Sequence, residues 1–140
     1  MELSRRKLLA LGASSIALMG LGTSVAFASK ADEAIAEFTG GSEASEGALE
    51  LTAPEIAENG NTVPIEVNAP GAVSVTVLAD GNPVPNVATF NFGKLNASRS
   101  ASTRIRLSKT QNVIAVAKME DGSFQIAKAN VKVTIGGCGG

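Results

Sequence analysis

From Thr62 onward, apolar and polar positions alternate with a period of two. Val73, Val75 and Val77 alternate with Ser74 and Thr76, Ile105 and Leu107 with Arg104 and Arg106, and Val131, Val133 and Ile135 with Asn130, Lys132 and Thr134. Successive side chains of a strand point to opposite faces, so this pattern predicts strands with one face buried. Residues 113–119, Val-Ile-Ala-Val-Ala-Lys-Met, are apolar on both faces, as in a central strand. Turn residues separate the runs at Asn59-Gly60, Asp80-Gly81-Asn82-Pro83 and Asp121-Gly122. The last pair, between Met119 and Phe124, predicts a hairpin. Phe124 and Ile126 have one parity, and Ala129, Val131, Val133 and Ile135 the other. That break reads as a β-bulge near Ala127 and Lys128 or as two separate strands.

Upstream the period is helical. Ala31, Ala34, Ile35 and Phe38 fall on one face, with Asp32 and Glu33 in the first turn and Gly40-Gly41 beyond the end. One short helix followed by about six or seven strands, at intervals near 10 residues, predicts an all-β antiparallel sandwich of immunoglobulin-like type over residues 29–135. A stretch of roughly 110 residues fills one such core and not two.

The chain begins with an address. Ser4-Arg5-Arg6-Lys7-Leu8-Leu9 precedes an apolar run to Phe27 that closes with Ala26-Phe27-Ala28, the parts of an export signal cleaved before Ser29. The paired arginines resemble a twin-arginine leader, although Leu8 stands where that motif most often has Phe. Residues 1–28 are therefore read as a signal peptide and the mature protein as periplasmic. A stable membrane anchor is not expected. Gly12, Ser14, Ser15, Gly20, Gly22, Thr23 and Ser24 dilute the run, and a spanning helix needs about 20 mostly apolar residues.

Composition narrows the chemistry. The 140 residues include no His, Trp or Tyr and a single Cys, Cys138. Without His there is no Ser-His-Asp or Cys-His machinery and no imidazole metal ligand. One thiol cannot form an internal disulfide, an iron–sulfur site or a multi-thiolate zinc site. No metal, no cofactor and no catalytic residue of its own is expected. A net charge of −1, or −3 once Glu2, Arg5, Arg6 and Lys7 leave with the leader, does not suit a nucleic-acid binder. Charge is also segregated. Residues 31–66 hold nine acids and no base, whereas residues 67–140 hold eight bases and three acids. The two halves could attract each other across the fold. Alternatively Lys94, Arg99, Arg104, Arg106 and Lys109 form a docking face, with Arg104 and Arg106 on one side of a strand.

The chain closes with Gly136-Gly137-Cys138-Gly139-Gly140. Five residues with one side chain among them cannot build core, and glycine flanks give a thin, flexible arm. Three extended residues from Ile135 to Cys138 span about 10 Å, enough to place a sulfur in another protein's pocket. No His is present, and Lys132 is the nearest base along the chain, so nothing in the arm activates the thiol. Cys138 reads as a handle for other enzymes.

With these features the chain resembles the SoxY family, the sulfur carriers of periplasmic thiosulfate-oxidising Sox systems. The resemblance runs the length of the chain. It rests on the leader at Ser4 to Leu9, on Pro54-Glu55-Ile56-Ala57-Glu58-Asn59-Gly60 followed by Val63-Pro64, and above all on the arm around Cys138. It implies that Cys138 is the covalent attachment site, and that Gly136, Gly137, Gly139 and Gly140 provide the arm. It also implies partners: a SoxZ subunit with a β-sandwich of its own, a haem c enzyme that couples thiosulfate to the cysteine, and a hydrolase that releases sulfate. Two alternatives stay open from the residues alone. Gly139-Gly140 superficially fits a ubiquitin-like carrier activated at its carboxyl end, and Cys138 could link two copies of a plain binding module.

Overall fold

The structure, a computed structural model, describes residues 29–136. The signal peptide read from residues 1–28, and Gly137, Cys138, Gly139 and Gly140 of the arm, lie outside the described residues.

Helix α1, Lys30–Thr39, starts where the sequence places it. Ser29 and Asp32 form a capping box: the Ser29 hydroxyl accepts from the Asp32 amide at 3.1 Å, and the Asp32 carboxylate accepts from the Ser29 amide at 3.1 Å. Gly40, in the left-handed conformation, ends the helix. Nine strands follow among the described residues: β1 Ala44–Ser45, β2 Glu50–Thr52, β3 Ile56–Ala57, β4 Val63–Asn68, β5 Ala72–Ala79, β6 Asn86–Asn91, β7 Ser100–Ile105, β8 Gln111–Met119 and β9 Phe124–Val133.

They form two sheets. The larger runs β1-β9-β8-β5-β6, with β3 also paired to β9, and the smaller runs β2-β4-β7. The long strands pair antiparallel, as expected of the sandwich. The two-residue strands β1 and β3 pair parallel to the outer edge of β9, at Phe124 and Gln125 and at Lys132 and Val133 respectively.

Between the sheets lies one core. Val63, Ile65 and Val67 of β4 meet Val75, Val77 and Ala79 of β5, Val113, Ala115 and Ala117 of β8, and Val131 of β9, with Leu107 fully buried beside them. The outer face of the large sheet is also covered. Helix α1 lays Ala34, Ile35 and Phe38 over Leu78, Ile114, Val116 and Phe124. Phe38 meets Phe124 edge-on, with ring centroids 5.9 Å apart and planes at 72°.

This second packed face corrects the reading of β9 and β5. Strand β9 is neither bulged against β8 nor split. Its register with β8 is unbroken from Val131 opposite Gln111 to Phe124 opposite Lys118. The parity changes because Phe124 and Ile126 pack toward the helix, while Ala127, Val131 and Val133 pack toward the small sheet. Strand β5 reads as half-buried, yet Ser74 and Thr76 are buried as well. The irregularity falls in β5 instead. Its register with β8 shifts between Ala72 and Ser74, which sends Val73 outward, 43 % exposed, while Ala72 and Val75 both face the core.

The hairpin at Asp121-Gly122 is present. Gly122 has φ 85°, a conformation that favours glycine, and its amide donates to the Met119 carbonyl at 3.0 Å. The Asp121 carboxylate accepts from the Ser123 amide at 2.8 Å and hydroxyl at 2.6 Å, and these bonds hold its pKa below the usual 3.8.

Candidate functional site: the root of the terminal arm

Three segments converge where the chain runs out toward Cys138: residues 57–60, residues 106–111 and the end of β9. Strand β9 stops at Val133, two residues before the periodicity ends, because the carboxyl-terminal residues leave β8 for the 57–60 segment. The Thr134 amide donates to the Ala57 carbonyl at 3.0 Å, and the Thr134 hydroxyl donates to the Glu58 carbonyl at 2.9 Å. The Gly60 amide then donates to the Ile135 carbonyl at 2.7 Å, and the Gly60 carbonyl accepts from the Leu107 amide at 2.8 Å. Gly60 thus bridges the root of the arm to the 106–111 loop.

That loop is itself fastened from behind. Asn82, in the turn between β5 and β6, donates to the Arg106 carbonyl at 2.8 Å, and its carbonyl oxygen accepts from the Ser108 amide at 3.0 Å and from Gln111 Nε2 at 2.8 Å. Gln111, 6 % exposed, accepts in turn from the Gly81 amide at 2.7 Å. Thr110 closes the other side by accepting from the Val133 amide at 2.9 Å. These partly buried polar groups find partners within the chain, so the loop is held in one conformation.

Gly136 rests against this loop. A Cβ built at Gly136 would overlap the Ser108 carbonyl oxygen and lie 3.2 Å from its carbonyl carbon. The obstacle is backbone, which cannot rotate away as a side-chain tip would. Ile135 beside it is 68 % exposed.

Of the residues expected to form the site, Gly136 is therefore the one the described structure places, and Gly137, Cys138, Gly139 and Gly140 lie beyond it. Gly60, Asn82, Ser108 and Gln111 were not identified as site residues from sequence. Asn59-Gly60 and Gly81-Asn82 register there only as turn signals, and nothing in the chain order brings residue 82 to residue 108. Among the described residues no group of three carboxylate, thiol or imidazole side chains converges to hold a metal ion.

The five cations of the candidate docking face are spread along β7 and the loops that flank it. Arg99 and Arg106 flank opposite ends of β7, about 20 Å apart at roughly 3.3 Å per residue. Arg99 is committed to Glu120, 3.2 Å away, in the single salt bridge among the described residues, and to the Gly93 carbonyl at 3.1 Å. Arg104 and Arg106 do point the same way, both exposed, and with exposed Lys109 they follow β7 toward the arm root. The acidic and basic halves make no salt bridge with each other among the described residues, so their attraction acts only at longer range.

Comparison with known proteins shows which family the chain belongs to. Residues 35–138 match the family model described as sulfur oxidation protein SoxY. The chain belongs to the SoxY family. The matched span ends on Cys138 itself. The structure of the sulfur carrier protein SoxY from Chlorobium limicola f thiosulfatophilum is 37% identical, with a TM-score of 0.64, over 76% of this chain and 97% of that one. A superoxide reductase (neelaredoxin) from Ignicoccus hospitalis has a TM-score of 0.55 at 17% identity, over 73% of this chain and 90% of that one, a likeness of fold alone. No curated protein matches the chain. The SoxY family thus accounts for the sandwich and sets the chain among sulfur carriers of sulfur oxidation.

Proposed function

We propose that this chain carries sulfur intermediates of thiosulfate oxidation covalently on Cys138 and presents them, in the periplasm, to successive Sox enzymes. The carrying observation is the SoxY family match, which ends on the only cysteine of the chain. Two further features support it. The cysteine follows in sequence a root that three segments of the sandwich hold, so the fold supplies a fixed base for the segment that carries it. With no His and one Cys, the chain offers no acid–base or metal machinery to act on sulfur itself, which suits a substrate carrier.

In this reading the Cys138 thiolate is joined to the outer sulfur of thiosulfate. One S–S bond forms, and two electrons pass to a haem c partner enzyme, leaving a cysteine S-thiosulfonate. A hydrolase then adds water across the bond to the sulfonate sulfur, releasing sulfate and two protons and leaving a persulfide on Cys138. The chain contributes reach and exposure, and works beside a SoxZ subunit after twin-arginine export.

The test is the intact mass of the protein purified from its native cells during thiosulfate turnover, before and after reduction, with any adduct mapped to the terminal peptide. A reductant-labile sulfur adduct on Cys138 is expected. A clean thiol, or a simple Cys138-linked dimer, under active turnover would overturn the carrier reading in favour of a disulfide-linked binding module.

A further inference from the structure

The glycines around Cys138 invite a single explanation, freedom of movement, but the first of them sits in a closed ring of contacts. The Ile135 carbonyl accepts from the Gly60 amide, and the Gly60 carbonyl accepts from the Leu107 amide. Leu107 is bonded to Ser108, whose carbonyl lies against Gly136. Ser108 cannot retreat easily. Its amide is bound to Asn82 Oδ1 at 3.0 Å, and its hydroxyl lies 3.2 Å from both that oxygen and the Gly81 carbonyl. Gly81 has no slack either, since a Cβ there would fall 2.9 Å from Gln111 Cβ and 3.0 Å from Lys109 Cε.

We infer that Gly136 is a positioning residue, whose missing side chain lets the chain pass against the Ser108 carbonyl and so fixes the point and direction from which it leaves the sandwich toward Cys138. Any side chain at 136 must push the chain off Ser108, and the nearest bond to break is the one from Gly60 to Ile135. The effect on the cysteine is large for its distance. Only Gly137 separates Gly136 from Cys138, two residue steps that span about 7 Å at full extension, so a shift of an ångström or two at the root is a substantial part of the reach. Enzymes that must take the sulfur into a pocket are sensitive to displacements of that size.

The inference rests on the carrier reading for its consequence in turnover, though not for its structural content, and two measurements on the full mature chain separate the two. A nitroxide attached to Cys138, the sole thiol, reports the root directly. Gly136→Ala is expected to change the spectral line shape, whereas Gly93→Ala, at a loop position where a Cβ meets open space, is expected to leave it near that of the parent. Loading of Cys138 by the haem c enzyme, followed by intact mass with the SoxZ complex, is expected to slow about tenfold or more in Gly136→Ala. Alkylation of the same thiol by iodoacetamide should stay within about twofold, because a small reagent needs no fixed origin. An unchanged line shape would overturn the inference whether or not the protein carries sulfur. A changed line shape with an unloadable parent protein would uphold the geometry and overturn the carrier reading. Should Gly136→Ala fail to fold, hydrogen exchange on the parent decides. Protection of the Gly60 and Leu107 amides comparable to that of β8 supports the clamp, and exchange at the rate of an open loop refutes it.

Discussion

The side chain of Asn82 accepts hydrogen bonds from both the amide and the hydroxyl of Ser108, at 3.0 and 3.2 Å, across 26 residues of chain. One carboxamide therefore sets where the loop carrying Ser108 lies, and with it the wall against which Gly136 rests. Asn82→Ala strips partners from the Ser108 amide, from Gln111 Nε2 and from the Arg106 carbonyl together. A loss of about 1–3 kcal/mol in urea unfolding is expected, since partly buried groups left unsatisfied cost more than the bond itself contributes. Asn82→Asp keeps the accepting oxygen but not the donor to Arg106, and should fall between the two.

That dependence shows where sequence reading reaches its limit. The alternation in β4, β5, β7 and β9 and the Asp-Gly hairpin are local signals, and the sandwich follows from them. The capped helix is equally legible, because Ser29, Asp32 and Gly40 specify its ends through neighbouring atoms. What the helix covers is not. It lies over Leu78, Ile114, Val116 and Phe124 with Ile126 beside them, a contact that no period reveals, so the parity break in β9 imitates a bulge. The same holds at the site. Gly136 and Cys138 stand out as residue types in an unusual run, whereas Gly60, Asn82 and Ser108 matter through contacts between distant segments.

The contact of Phe38 with Phe124 fastens the helix to the sheet and can be weighed separately from the core. Phe124, 9 % exposed, also fills the outer face of β9, so Phe124→Ala should cost about 3 kcal/mol. Phe38→Ala, at a half-buried position, should cost less. If the edge-on ring contact contributes beyond burial, the double variant will be less destabilised than the sum by about 1 kcal/mol. Strict additivity in chemical denaturation would show that the geometry adds nothing beyond area.

Acid should loosen the same helix. Hydrogen bonds from the Ser29 side chain, and then from its backbone, hold the Asp32 carboxyl below its ordinary value of 3.8. The folded state thus binds a proton at Asp32 less readily than the unfolded chain. The resulting stabilisation is fully present above 3.8 and is lost as pH falls through the lowered value. Asp32→Asn should therefore be less stable than the parent at neutral pH, by about 0.5 kcal/mol for a carboxylate at a helix amino terminus. The gap should narrow as pH falls below 3.8, in thermal unfolding followed by circular dichroism. A gap that stays constant over that range would place the effect of Asn elsewhere than in the charge.

Strands β1 and β3 are only two residues long, yet they occupy the two ends of the same outer edge of β9. Between them residues 126–131 have no strand partner on that edge, and Lys128 stands exposed in their middle. A long bare strand edge is a template on which a second molecule can add its own strand, and short edges with an exposed lysine are among the ways proteins prevent this. Two dipeptides, split by an excursion into the other sheet, thereby cap both ends of the open edge of β9, the longest strand among the described residues, against the addition of a second copy.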